Sequence, residues 1–109
     1  MMLFLLLHQC SCNPVDEMTA MSVSSVVLEG VVDSIVEDSS MVRYLINVSF
    51  VIKGETGDTV SIFSRKGPCA LNLERGGEYR IFARVHNDSL FSDVCSGTYR
   101  IYSEEEYEE

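Results

Sequence analysis

The 109-residue chain has no tryptophan and only two prolines, and its eight Lys and Arg side chains are outnumbered by 17 Asp and Glu, giving a formal net charge of −9. So few cations argue against a nucleic-acid partner, because gripping a phosphate backbone takes clustered Lys and Arg. Here the basic residues are scattered, and the largest group is Arg65-Lys66. No apolar run is long enough to span a bilayer; the N-terminal one covers only residues 2–7. There is no Cys-x-x-Cys of a redox motif, no glycine-rich phosphate loop, and no nucleophile–base pair or metal-ligand cluster. The chain is therefore expected not to be an enzyme and to need no cofactor. His86, beside Asn87 and Asp88, reads as a solvated turn residue rather than a base.

What is present fits one small domain. A core of this size is modest, so covalent staples would help to stabilise it. Residues 1–9 have the apolar character of a secretory signal peptide of atypical form: no cation precedes the run, and Leu7 and Gln9 are poor cleavage-site residues. Five glutamates, Glu104, Glu105, Glu106, Glu108 and Glu109, crowd the other end, so residues 103–109 are expected to be a solvated, disordered acidic tail.

The four cysteines are Cys10, Cys12, Cys69 and Cys95, and four cysteines allow three full pairings. Cys10 and Cys12, with a single residue between them, are expected to pair poorly with each other, and each is expected to staple the N-terminal segment to a distant part of the chain. Zinc held by the chain's own cysteines is not suggested by the spacing, since only one close pair exists and His8 and His86 do not complete a second.

Asn13 as a cap, Pro14 at a first helical position and Asp16-Glu17 in the first turn predict a short helix over about residues 14–21. Strand signals dominate after it. Residues 26–36 are β-branched, with Gly30 as a bend or bulge. Val42, Tyr44, Ile46, Val48, Phe50 and Ile52 alternate with mostly polar residues, the mark of a long half-buried strand. Further strands are expected at 59–64, 78–85 and 89–95, the last two joined by a hairpin-like turn at residues 86–88, and a short one at 99–102. The expected class is mainly β, with a five-stranded Greek-key barrel as the natural candidate and a sandwich fitting the pattern almost as well.

Cys10-Ser11-Cys12-Asn13-Pro14-Val15 resembles the mature N-terminus of the tissue inhibitors of metalloproteinases, whose fold is shared by the netrin-like module. The resemblance runs on in order through Val26-Val27-Leu28-Glu29-Gly30-Val31-Val32, a strand ending Val51-Ile52-Lys53-Gly54, isolated Cys69, Gly77-Glu78-Tyr79-Arg80-Ile81-Phe82, and Cys95 after a hairpin. It covers residues 10–102, which make up the expected domain. The third disulfide of the animal inhibitory domain has no counterpart.

The resemblance implies an oligosaccharide/oligonucleotide-binding-type (OB-fold) barrel, disulfides Cys10–Cys69 and Cys12–Cys95, and secretion. It also implies inhibition of a zinc metalloprotease, with the amine and carbonyl of Cys10 chelating the catalytic zinc. Ser11 would face the protease pocket, Cys12, Asn13 and Pro14 would extend the contact, and Gly67, Pro68 and Ala70 would form the second part of the ridge. The protein would act as a monomer with no membrane span and no metal of its own. The alternative is a secreted netrin-like binding module without inhibitory activity.

Overall fold

The computed structural model describes residues 10–12 and 16–102. The predicted signal peptide and acidic tail lie outside the described residues, as do Asn13 and Pro14. Along the chain run helix α1 (Glu17–Val23) and strands β1 (Val26–Glu37), β2 (Met41–Lys53), β3 (Thr59–Arg65), β4 (Glu78–His86), β5 (Ser89–Phe91) and β6 (Tyr99–Ile101). No helix among the described residues is long and apolar enough to cross a membrane.

The helix begins later than the sequence suggests. Asp16, not Asn13, is its cap: the carboxylate accepts from the Thr19 amide at 2.8 Å, satisfying one of the amides that a first turn leaves without a helical partner. That contact holds the Asp16 carboxyl below its ordinary pKa. At the other end Ser24 turns back, its amide and hydroxyl both donating to the Ala20 carbonyl. The helix buries Ala20 against Val27 and Phe82, with Met21 and Ile52 around them.

The protein is mainly β. Strand order is β1-β2-β3-β5-β4-β6, and β1 also pairs with β4, so β1, β2, β3, β5 and β4 close into a ring with β6 added outside β4. Every pairing is antiparallel except β3 with β5, where Ile62 faces Leu90 and Phe63 faces Phe91. β1 makes closure possible by bonding β2 on one side and, through Val26 to Val31, β4 on the other. Its register against β2 shifts three times, one shift falling between Glu29 and Gly30. Such irregularities bend and twist a strand. Gly30 is buried there, and an added Cβ would lie 2.5 Å from the Asn47 carbonyl oxygen and 2.6 Å from Ile46 Cγ2, so the backbones approach too closely for a side chain.

The ring encloses the main core, including Leu28, Val32, Tyr44, Ile46, Ile62, Ile81 and Ala83. The alternation of β2 holds at Val42, Tyr44 and Ile46, which are buried, but Phe50 is 61% exposed. The register shifts explain the departure, since each extra residue moves the side chains beyond it to the opposite face. The expected strand 89–95 ends at Phe91 instead. Ser92 then bonds Phe63 and Phe82, and the Asp93 carboxylate accepts from the Cys95 amide and the Ser96 hydroxyl, curling the chain into a turn. The β4–β5 hairpin is as expected: Asn87 and Asp88 both have positive φ, 51° and 64°, the geometry of a tight two-residue turn.

Candidate functional site

The segment between β3 and β4 carries Gly67, Pro68, Cys69 and Ala70 and is tied down from below. Tyr44, buried in β2, donates its hydroxyl to the Leu71 carbonyl at 2.7 Å and accepts from the Leu73 amide at 3.3 Å. Burial raises the Tyr44 pKa, so the hydroxyl stays protonated as a donor. The buried Ser64 hydroxyl accepts from the Leu71 amide at 2.8 Å. With Leu71 and Leu73 inserted in the core, residues 67–70 form an outward bend, in which the Ala70 amide donates to the Gly67 carbonyl at 3.1 Å.

The N-terminal segment lies against this bend. Cys10 and Cys69 have their sulfurs at bonding distance with Cα atoms 4.8 Å apart, and Cys12 and Cys95 do the same with Cα atoms 5.4 Å apart. Both separations suit a disulfide, and the pairs are those the family resemblance implies. The Val94 amide donates to the Cys69 carbonyl at 3.1 Å, joining the two distant attachment points to each other. The two pairs are also neighbours: the Cys10 sulfur is 3.8 Å from that of Cys12 and 3.6 Å from that of Cys95. Ser11, Cys12, Gly67 and Pro68 are exposed, while Cys10, Cys69, Ala70 and Cys95 are half-buried. The structure therefore brings Cys10, Ser11 and Cys12 together with residues 67–70 on one face. Asn13 and Pro14 fall outside the described residues.

Beside this face opens a cleft of about 690 Å³, walled by Cys69 and Cys95 together with Arg65, Lys66, Arg84 and His86. Phe91 also lines it, with the Arg65 guanidinium 4.9 Å over its ring and the His86 ring edge-on at 5.8 Å. Lys66 reaches Glu37 at 2.9 Å, an exposed pair of small energetic weight. In an acidic chain this is a local concentration of cations. Sequence reasoning singled out Arg65-Lys66 as a pair but missed Arg84 and His86 as their neighbours. The available signal was their i, i+2 spacing on β4, which sets both on one face; the β3–β5–β4 pairing that brings that face beside Arg65 has no sequence signature.

Elsewhere, Arg80 bonds Glu29 through two nitrogens, at 2.9 Å and 2.6 Å, and also bonds Glu17. These contacts raise the Arg80 pKa, chiefly through Glu29, and pin α1 to the strands. The arrangement is a clamp between elements. No family model matches the chain, and no curated protein matches it.

Proposed function

We propose that this protein is a secreted, single-domain inhibitor of zinc metalloproteases, similar to the tissue inhibitors of metalloproteinases, with an OB-type barrel as its scaffold. The observation that supports this reading is the joint placement of Cys10 and Cys12 against Cys69 and Cys95, which holds residues 10–12 beside the 67–70 bend, whose Gly67 and Pro68 are exposed.

The chemistry requires that residues 1–9 are removed, so that the chain starts at Cys10. A catalytic zinc keeps one coordination position for water, which an inhibitor can take. An α-amino group has an ordinary pKa of about 7.7–8.0, so near neutral pH it can shed its proton and bind the metal, with the Cys10 carbonyl as second donor. A terminus already held by a cystine loses little freedom on docking, which favours tight binding. Ser11 then faces the protease pocket, with Cys12, Asn13 and Pro14 continuing the contact and Gly67, Pro68 and Ala70 forming the second part of the ridge.

The test compares protein beginning at Cys10 with protein carrying one additional alanine before it, against a panel of zinc metalloproteases. The reading expects inhibition by the first and at least a hundredfold loss in the second. Equal potency would remove amine chelation, and no inhibition by either would leave the netrin-like binding module as the function.

A further inference from the structure

Two arginines in the cleft beside residues 67–70 lack a counter-charge among the described residues. Acidic side chains outnumber basic ones 17 to eight, and Lys66, Arg80 and Arg100 each pair with a glutamate. Arg65 and Arg84, both exposed and both lining the cleft, pair with none. The cleft's own acid, Asp93, accepts from the Cys95 amide and the Ser96 hydroxyl instead. Phe91 lies close to both arginines. Arg65 covers its ring, and Arg84 stands directly across the β4–β5 ladder from it, on the same face. A guanidinium stacked on an aromatic ring is held in place with its N–H edge free to take a planar carboxylate through two bonds. Val85 and Pro68 join Phe91 as apolar lining. Gly67, Pro68, Cys69 and Ala70 also line the cleft, so a protein resting on that bend faces it.

We propose that this cleft binds an acidic peptide segment of a partner protein, its carboxylates held by Arg65 and Arg84 and an adjoining apolar side chain set against Phe91. On the inhibitor reading, on which only the partner's identity rests, the partner is the protease and the segment borders its active site. A peptide suits the cleft better than a long sulfated glycan does. The cations are bounded by acids, since Glu37 pairs with Lys66 and exposed Asp88 lies two residues beyond His86. Charges act over about 8 Å at physiological salt, so a polyanion leaving the cleft would run onto an acidic surface, whereas a short segment stays within the cationic patch. A sulfated glycan also makes little use of an apolar wall. Exposed charges of this kind chiefly raise the rate of encounter, so the cleft would steer its partner onto the 67–70 bend.

The experiment records amide NMR spectra of the oxidised full chain, titrated at low ionic strength with a capped peptide in which aspartates flank one phenylalanine. Saturable shifts are expected over residues 65–70, 84–86 and 91–96. The same peptide with asparagine for aspartate should bind at least tenfold more weakly, and so should the aspartate peptide to protein carrying Arg65→Gln and Arg84→Gln. Arg75→Gln, outside the cleft, should leave binding unchanged. Equal affinity in the double variant, or no saturable shifts, would overturn the proposal. So would a heparin hexasaccharide that moves the same amides at a tenfold lower concentration, or tenfold tighter peptide binding once residues 103–109 are removed, which would make the chain's own tail the occupant. For any protease that the chain inhibits, the double variant should associate at least fivefold more slowly, and an unchanged rate would exclude the protease as the partner. The alanine-extended chain should lose inhibition but keep the peptide shifts. Peptide binding without inhibition of any protease would uphold the cleft and refute the inhibitor reading.

Discussion

Deleting one cystine should affect stability by an amount set by the other. Cys10–Cys69 spans 59 residues and Cys12–Cys95 spans 83. Taken alone, closing loops of those sizes stabilises by about 4.3 and about 4.6 kcal/mol in the chain-entropy model. The bridges are not independent, however. With one in place, the other closes a path of only about 28 residues, two between Cys10 and Cys12 and the remainder between Cys69 and Cys95. That shorter loop is worth about 3.6 kcal/mol. Replacing Cys12 and Cys95 by alanine, or Cys10 and Cys69 by alanine, should therefore destabilise by nearly the same amount, despite their different spans. Removing all four should cost about 8 kcal/mol, comparable to the whole stability of a small domain. Equilibrium unfolding in guanidinium chloride, monitored by circular dichroism, measures all three. A loss below about 1 kcal/mol for either pair, or a gap above about 2 kcal/mol between the pairs, would refute the reasoning.

Other expectations follow from single contacts. Tyr44→Phe removes the hydroxyl that joins Leu71 and Leu73, leaving buried backbone groups without it, and should cost about 1–3 kcal/mol with faster amide exchange at Leu73; a change under about 0.5 kcal/mol would contradict the latch. Gly30→Ala sets a methyl against the Asn47 carbonyl oxygen and Ile46, so urea unfolding should show a loss of about 1–3 kcal/mol, and an unchanged midpoint would deny the close approach. The Asp38 carboxylate accepts from the Ser40 and Met41 amides in the β1–β2 turn, and these bonds lower its pKa in the folded state. Its contribution is complete above the ordinary carboxylate pKa and disappears as pH falls through the lowered folded value, so Asp38→Asn should flatten the acid limb of a stability–pH profile; an unaltered limb would contradict this.

How much of this was readable in the amino-acid order depends on how local each signal is. The β-branched run of β1 and the alternation Val42, Tyr44, Ile46 are local, and they foretold strands whose inner faces are buried. Phe50 breaks the alternation because register shifts between paired strands reset the faces, and one strand's sequence does not contain its partner's register. The helix start was misplaced because Asn13 and Asp16 are both good caps. The hairpin at Asn87 and Asp88 was visible, whereas the parallel β3–β5 pairing rests on a strand of three residues, too short for a periodic signal. For the site, the Cys10-Ser11-Cys12 spacing indicated distant partners without specifying them, and the pairing came only from the resemblance. That the two bridges lie side by side, with the Cys10, Cys12 and Cys95 sulfurs within 4.8 Å of one another, and that Arg65 and Arg84 line one cleft, follow from the tertiary fold and had no local trace.

The proposed function rests on a free amine at Cys10 held next to Cys69. Intact mass and amino-terminal peptide mapping of the naturally produced, non-reduced protein address that point most directly. The account expects a chain that begins at Cys10, unacylated, with its first peptide cross-linked to the one containing Cys69. A mature chain starting at another residue, a blocked amine, or Cys10 linked elsewhere would contradict it.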